Sequence, residues 1–187
     1  MRIENDYINN NYKEQRSKLG NFFYRVTAKS ATFLMRHMWL YYLLNYTWGL
    51  LATVFGWVVL VFIKLFLNKH VVDYRKFGPC YYIMLFNNWG GLELGINFIL
   101  ANNMGDYWTL HTKCHELGHT FQNAIFGPLA IFMIYLPSAI RYWYQEFRSR
   151  KAKLNKAYDS IWFEESATDI GTKYYIEVLK GDISKYC

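Results

Sequence analysis

Apolar and polar positions are segregated along this chain rather than mixed. The first twenty residues, MRIENDYINNNYKEQRSKLG, are polar and carry charges of both signs. They lack the short apolar core behind a basic start that marks a cleavable signal peptide. Residues 21–37 stay basic with scattered apolar positions, so the segment 1–37 is expected to end in a helix lying on a membrane surface. From 38 to 63 the chain reads MWLYYLLNYTWGLLATVFGWVVLVFI, 26 residues without a formal charge, preceded by Arg36 and closed by Lys64. At about 1.5 Å per residue this run exceeds the ~30 Å hydrocarbon layer of a bilayer. Trp39, Tyr41 and Tyr42 lie at one end, where interfacial aromatics belong. The run predicts one transmembrane helix over 38–63.

The pattern then changes period. YYIMLF (81–86) and LELGINFIL (92–100) flank NNWGG, and two such runs around Asn and Gly predict a β-hairpin. A turn at ANNMGD leads into a helix over 109–126, with Thr109 or Thr112 as N-cap and Gly127-Pro128 as its end. A second uncharged run, TFQNAIFGPLAIFMIYLPSAI (120–140), carries Pro128 and Pro137. Proline removes a backbone donor and kinks a helix, so 124–140 is expected as a re-entrant or interfacial hairpin. The expected class is α+β, mostly helical, with a small hairpin or sheet, anchored in a membrane. Residues 64–187 form the part that carries the chemistry.

Composition narrows the partners. Net charge is +7, from 21 basic and 14 acidic residues, and 17 Tyr with 7 Trp make the chain unusually aromatic. Mean hydropathy is only −0.07, so the apolar runs are offset by polar segments elsewhere. Excess positive charge suits anionic lipid or nucleic acid; interfacial aromatics favour membrane lipids, and no nucleic-acid recognition motif is present. Basic residues balance on the two sides of 38–63, and the stretch Arg141–Lys156 tilts the expected site weakly towards the cytoplasm. Cys80, Cys114 and Cys187 form no even framework and no C-x-x-C, so they read as ordinary thiols.

The chemistry concentrates in TLHTKCHELGHTFQ (109–122), which holds His111, His115 and His119. On a helix His119 lies about 40° from His115 and one turn along, so both imidazoles reach one point, as two ligands of one Zn2+ require. Glu116 sits beside that point, offset as a general base acting on an activated water would be. His111 and Gln122 line the same face and are expected to support the site from behind or to touch substrate. A third ligand is expected from WFEESATDIG (162–171), which offers Glu164, Glu165 and Asp169. Tyr174 and Tyr175 are candidates for stabilising an oxyanion, and the run Leu92–Leu100 for pairing with an extended substrate.

The motif His115-Glu116-Leu117-Gly118-His119, followed by Glu164-x-x-Ala167, resembles the gluzincin-type zinc metallopeptidases, closest to small membrane-bound, CAAX-protease-like members. The likeness spans Gly90 to Gly171. It implies zinc held by His115, His119 and Glu164, with Glu116 activating water. Glu165 is the alternative ligand; Glu164 is favoured because Ala167 and Gly171 then both fall in the family's frame, small residues that let two helices approach closely. The family places Asp four residues after the ligand, and here that position is Thr168. Were Glu165 the ligand, Asp169 would take the Asp position and the alanine would be misplaced. The function implied is a membrane-associated zinc hydrolase, a metallopeptidase acting on a peptide or membrane-protein segment. A catalytically silent membrane adaptor with a zinc-stabilised fold is the alternative that Thr168 favours, and a zinc-free membrane protein with a coincidental motif is the third reading. Because His115 and Glu164 must meet, the run between them cannot simply cross a bilayer.

Overall fold

The computed structural model describes residues 17–86, 90–102, 105–149 and 161–182. The polar N-terminus, the first three residues of the NNWGG turn and residues 150–160, the later part of the basic stretch among them, lie outside them. The described chain is α+β and mostly helical: α1 (Lys18–Arg36), α2 (Met38–Tyr46), α3 (Leu50–Phe66), β1 (Val71–Phe77), β2 (Cys80–Leu85), β3 (Gly91–Leu94), β4 (Asn97–Ala101), α4 (Asp106–Phe126), α5 (Leu136–Ser149) and α6 (Trp162–Glu177). Short 3-10 and π turns link α4 to α5.

The four strands form a mixed sheet in the order β1-β2-β4-β3. The expected pairing of 81–86 with 92–100 as one hairpin is not formed. Instead β2 folds back on β1, and the 92–100 run reverses on itself into β3 and β4. β2 and β4 then lie side by side in parallel, Tyr81 opposite Asn97 and Leu85 opposite Ala101. Two glycines decide this: Gly78 (φ 57) and Gly95 (φ 70) hold the left-handed backbone that tight reversals need.

Alternation along the strands serves two helices. Tyr82, Phe98 and Leu100 pack with Leu117 and Phe121 of α4, while Ile83, Ile99 and Leu94 pack with Leu60 and Ile63 of α3. The sheet is thus covered on both faces, with α1 and α6 completing the layer around α4.

The predicted single span over 38–63 is broken. α2 and α3 meet at 82°, and among the described residues no single helix is long and apolar enough to cross a membrane. Hydrogen bonds explain the break. Asn45 is fully buried; its amide donates to the carbonyls of Tyr41 (3.2 Å) and Thr120 (3.4 Å), and its carbonyl accepts from Asn123 (2.7 Å). Asn123 also donates to the Gly49 carbonyl at 3.3 Å, and the Trp48 ring lies where a side chain on Gly127 would be. These contacts hold residues 47–49 as a corner. The second uncharged run also bends, by 114°, at the Gly127–Leu129 turn that contains Pro128. Pro137 adds no second break: the π turn Ile131–Tyr135 runs directly into α5, and a widened turn just before proline accommodates its missing N–H.

α4 begins three residues before Thr109, after Gly105, so neither threonine caps it; Asp106 in the first turn complements the helix dipole. α4 and α6 touch backbone to backbone. A Cβ on Gly118 would overlap the Ala167 carbonyl, and one on Gly171 would overlap the Cys114 carbonyl. Gly171→Ala is therefore expected to force the pair apart, destabilising the fold by about 3 kcal/mol or more and lowering its thermal midpoint, while the same change at exposed Gly105 has nothing within contact distance to disturb.

Candidate metal centre

The close approach of α4 and α6 sets three ligand atoms face to face. His115 Nε2 and His119 Nε2 are 3.1 Å apart, and Glu164 Oε2 lies 3.1 Å from the first and 3.3 Å from the second. His115 and His119 project from successive turns of α4, and Glu164 comes from the first turn of α6. The Glu164 side chain is fully buried and the imidazoles nearly so. This group could hold a metal ion, and it is the one such group among the described residues. Glu165 is not part of it.

The remaining ring nitrogens are also held. Gln122 Oε1 accepts from His119 Nδ1 at 2.8 Å, and its amide donates to the Phe163 carbonyl (2.7 Å) and Ser166 Oγ (2.9 Å) on α6. The amide has one acceptor oxygen, so Nδ1 of His119 carries a proton, which leaves Nε2 as the nitrogen able to ligate a metal. Thr168 Oγ1 lies 2.8 Å from His115 Nδ1, taking the place that the resemblance gives to an aspartate. Its hydroxyl orients the ring but adds no charge. Asp169 is turned away: it accepts a hydrogen bond from Tyr24 on α1. One residue is about 100° on a helix, so Thr168 and Asp169 cannot both face α4.

The electrostatics follow from burial. Burial alone would raise Glu164, but hydrogen bonds and charges from His115 and His119 outweigh it and hold the carboxyl well below its usual range. Burial likewise opposes a charge on His119, yet Glu164, with Glu116 and Glu93, raises it to about 9. Glu116 is pushed up by burial, with His115 and His119 opposing. His111 stacks on His115 with ring centroids 6.4 Å apart, and burial followed by the His115 charge lowers it to about 4. It packs beside the ligands through His115 rather than joining them.

Tyr174 packs into the core against Phe121, and Tyr175 stacks on Phe77. At about 1.5 Å per residue they lie some 15 Å along α6 from Glu164. Neither is positioned to stabilise an oxyanion.

Sequence reasoning missed Glu93. It stands on β3, an edge strand of the sheet, with 7% of its surface exposed, and among the described residues only the Tyr135 hydroxyl and the Gly95 N–H act on its carboxylate as weak donors. Its backbone N–H donates to the Glu116 carboxylate. β3 comes this close because Gly91 has no side chain: a Cβ there would overlap Glu116 and Thr112. The available signal was a glutamate inside the apolar run Leu92-Glu93-Leu94. Burial raises Glu93 to about 8, although His119 and Tyr135 act in the opposite direction.

Comparison with protein-family models, curated proteins and solved structures finds no match.

Glu93 gives this centre a pH signature. Its folded-state pKa, about 8, lies above that of an unfolded glutamate, so the unfolded chain releases its proton first as pH rises. The metal-free protein should lose stability between about pH 4.5 and 8. Glu93→Gln should remove the share of that loss that Glu93 contributes, raising the thermal midpoint at pH 8 and leaving it unchanged near pH 4. Melts in chelator at both pH values check this; equal midpoints for the two proteins at pH 8 would contradict it.

Proposed function

We propose that this protein is a membrane-associated, zinc-dependent hydrolase, a peptidase of the gluzincin type. One observation carries the reading: the spacing of the three ligand atoms. Ligands about 2.0–2.1 Å from a tetrahedral zinc lie about 3.3–3.4 Å from one another. The separations here are 3.1, 3.1 and 3.3 Å, so the side chains need little adjustment to accept the ion. Two imidazoles and one carboxylate also match the donor set of catalytic zinc, which leaves a coordination position open.

When bound, zinc supplies Lewis acidity towards a carbonyl and makes water easier to deprotonate. The chain's own groups do the rest. Glu116, next to His115 and raised by burial, takes the proton and returns it to the leaving amine. Gln122 and Thr168 hold the two imidazoles in orientation, as partners behind metal ligands do. β3 is the edge strand beside Glu116, the strand along which an extended peptide would align. Membrane association is supported by the large apolar side chains exposed along α3 and at both helix corners, among them Leu51, Phe55, Phe62 and Phe132.

A catalytically silent adaptor that keeps the zinc is the second reading, and Thr168 favours it: a neutral hydroxyl stands where the peptidases carry a carboxylate. Glu116→Gln separates the two. In a peptidase this variant keeps about one zinc per chain by elemental analysis, yet cleavage of a mixed peptide library falls by about 100-fold or more. Zinc in the wild type with no cleavage of soluble or membrane-embedded peptides leaves the adaptor. No zinc in the wild type after reloading removes both readings.

A further inference from the structure

The described molecule has an outer face that the metal chemistry does not use, and α1 dominates it. Lys18, Arg25, Lys29 and Arg36 are all exposed, and the helix contains no Asp or Glu. Their spacing of seven, four and seven residues places them within about 20° of one line along the helix. Beside this basic line runs a second exposed stripe, Leu19, Phe22, Val26 and Phe33. The opposite side of α1, Gly20, Thr27, Ala31, Leu34 and Met35, is buried against the protein. α1 therefore has two apolar sides, and the protein covers only one.

The outer stripe leads into a groove. An open cavity of about 740 Å³ lies between α1, α2 and the end of α4. Leu34, Leu40, Leu44, Trp48 and Ile125 supply its apolar wall, and Lys29 and Ser30 its polar residues. Trp48 belongs to the first helix corner and packs on Gly127 at the second, so the two corners share one place on the surface. Around them Leu51, Leu129 and Phe132 stand more than half exposed. No formal charge occurs in 38–63 or 120–140, the two runs that make the corners.

We infer that this face docks on one leaflet of an anionic bilayer, with the groove taking a phospholipid acyl chain and the Lys29 ammonium meeting its phosphate. Charge selects the occupant. A second copy docking α1 on α1 would oppose one basic line with another, whereas anionic headgroups complement it. Chain geometry selects the mode. Each uncharged run bends sharply at its corner, by 82° and 114°, and the corners meet, so both corners fit as a shallow insertion from one side. This surface stands whether or not the metal centre is catalytic.

Purified full-length protein, diluted from detergent, is floated with phosphatidylcholine vesicles with or without about one-third phosphatidylglycerol. Each Lys or Arg near an anionic surface contributes about fivefold in partitioning. Arg25→Gln/Lys29→Gln should thus weaken binding to anionic vesicles about 30-fold, with the circular dichroism of the fold unchanged. Brominated acyl chains should quench a component of tryptophan emission that Trp48→Phe removes. Raising salt from about 0.1 to 1 M, which shortens the screening length from about 10 to 3 Å, should release most of the protein. Equal flotation on neutral and anionic vesicles, or a double variant that binds like wild type, would overturn the inference. A dimer in which Trp48 is shielded from quencher would also overturn it, since a second copy would then cover the groove.

Discussion

The backbone contact between α4 and α6 sets the geometry of the candidate centre. Glu164 reaches two imidazoles on another helix only because Gly118 and Gly171 let the helix axes close beyond what side chains normally allow. Ala167 opposite Gly118 and the backbone of Cys114 opposite Gly171 make the contact reciprocal. Gln122 locks its register, because one side chain of α4 bonds His119 at one end and two groups of α6 at the other. Slippage by one residue on either helix would rotate a ligand by about 100° and break all of these bonds together.

That contact concentrates polar groups in a place where burial penalises them. Glu93, Glu116, His119, Gln122, Asn123 and Glu164 are all buried. Their hydrogen bonds offset part of the penalty, and Glu93, raised to about 8 by burial despite Tyr135 and Gly95, shows where compensation is incomplete. The same polar interior reaches the helix corners. Asn123, one turn beyond His119, bonds Asn45 and Gly49 on one side and accepts from Tyr135 on the other. Both corners are thereby tied to the helix that carries His115 and His119, so the proposed docking surface and the proposed catalytic centre share one rigid element.

What the sequence made legible was mostly local. The spacing of His115, Glu116, His119 and Gln122 fixes their common face once the segment is helical, and helix periodicity is written in four or five neighbouring residues. Glu164 is favoured over Glu165 through the resemblance, because Ala167 and Gly171 then fall in the frame of the gluzincin-type peptidases. The uncharged run 38–63 misled because hydropathy counts Asn45 as one polar residue among many apolar ones. It cannot register that Thr120 and Asn123, some 75 residues away, would bond that side chain and hold a corner. Strand partners failed for a related reason: alternation names strands, but Gly78 and Gly95 decided where the chain reverses. Glu93 was lost inside an apolar run, since only the folded sheet brings it to Glu116. Asp169 was a candidate to support a ligand, at the family's offset were Glu165 the ligand, yet Thr168 occupies the direction that faces α4.

The central claim is that two imidazoles and one carboxylate from α4 and α6 form a tetrahedral zinc site. X-ray absorption at the zinc edge on the zinc-loaded protein tests it most directly. The account predicts a first shell of nitrogen and oxygen only, at about 2.0–2.1 Å, with outer-shell scattering from two imidazoles, and loss of half of that imidazole signal in His119→Ala. Sulfur scattering at about 2.3 Å, or a first shell without imidazole, would contradict it.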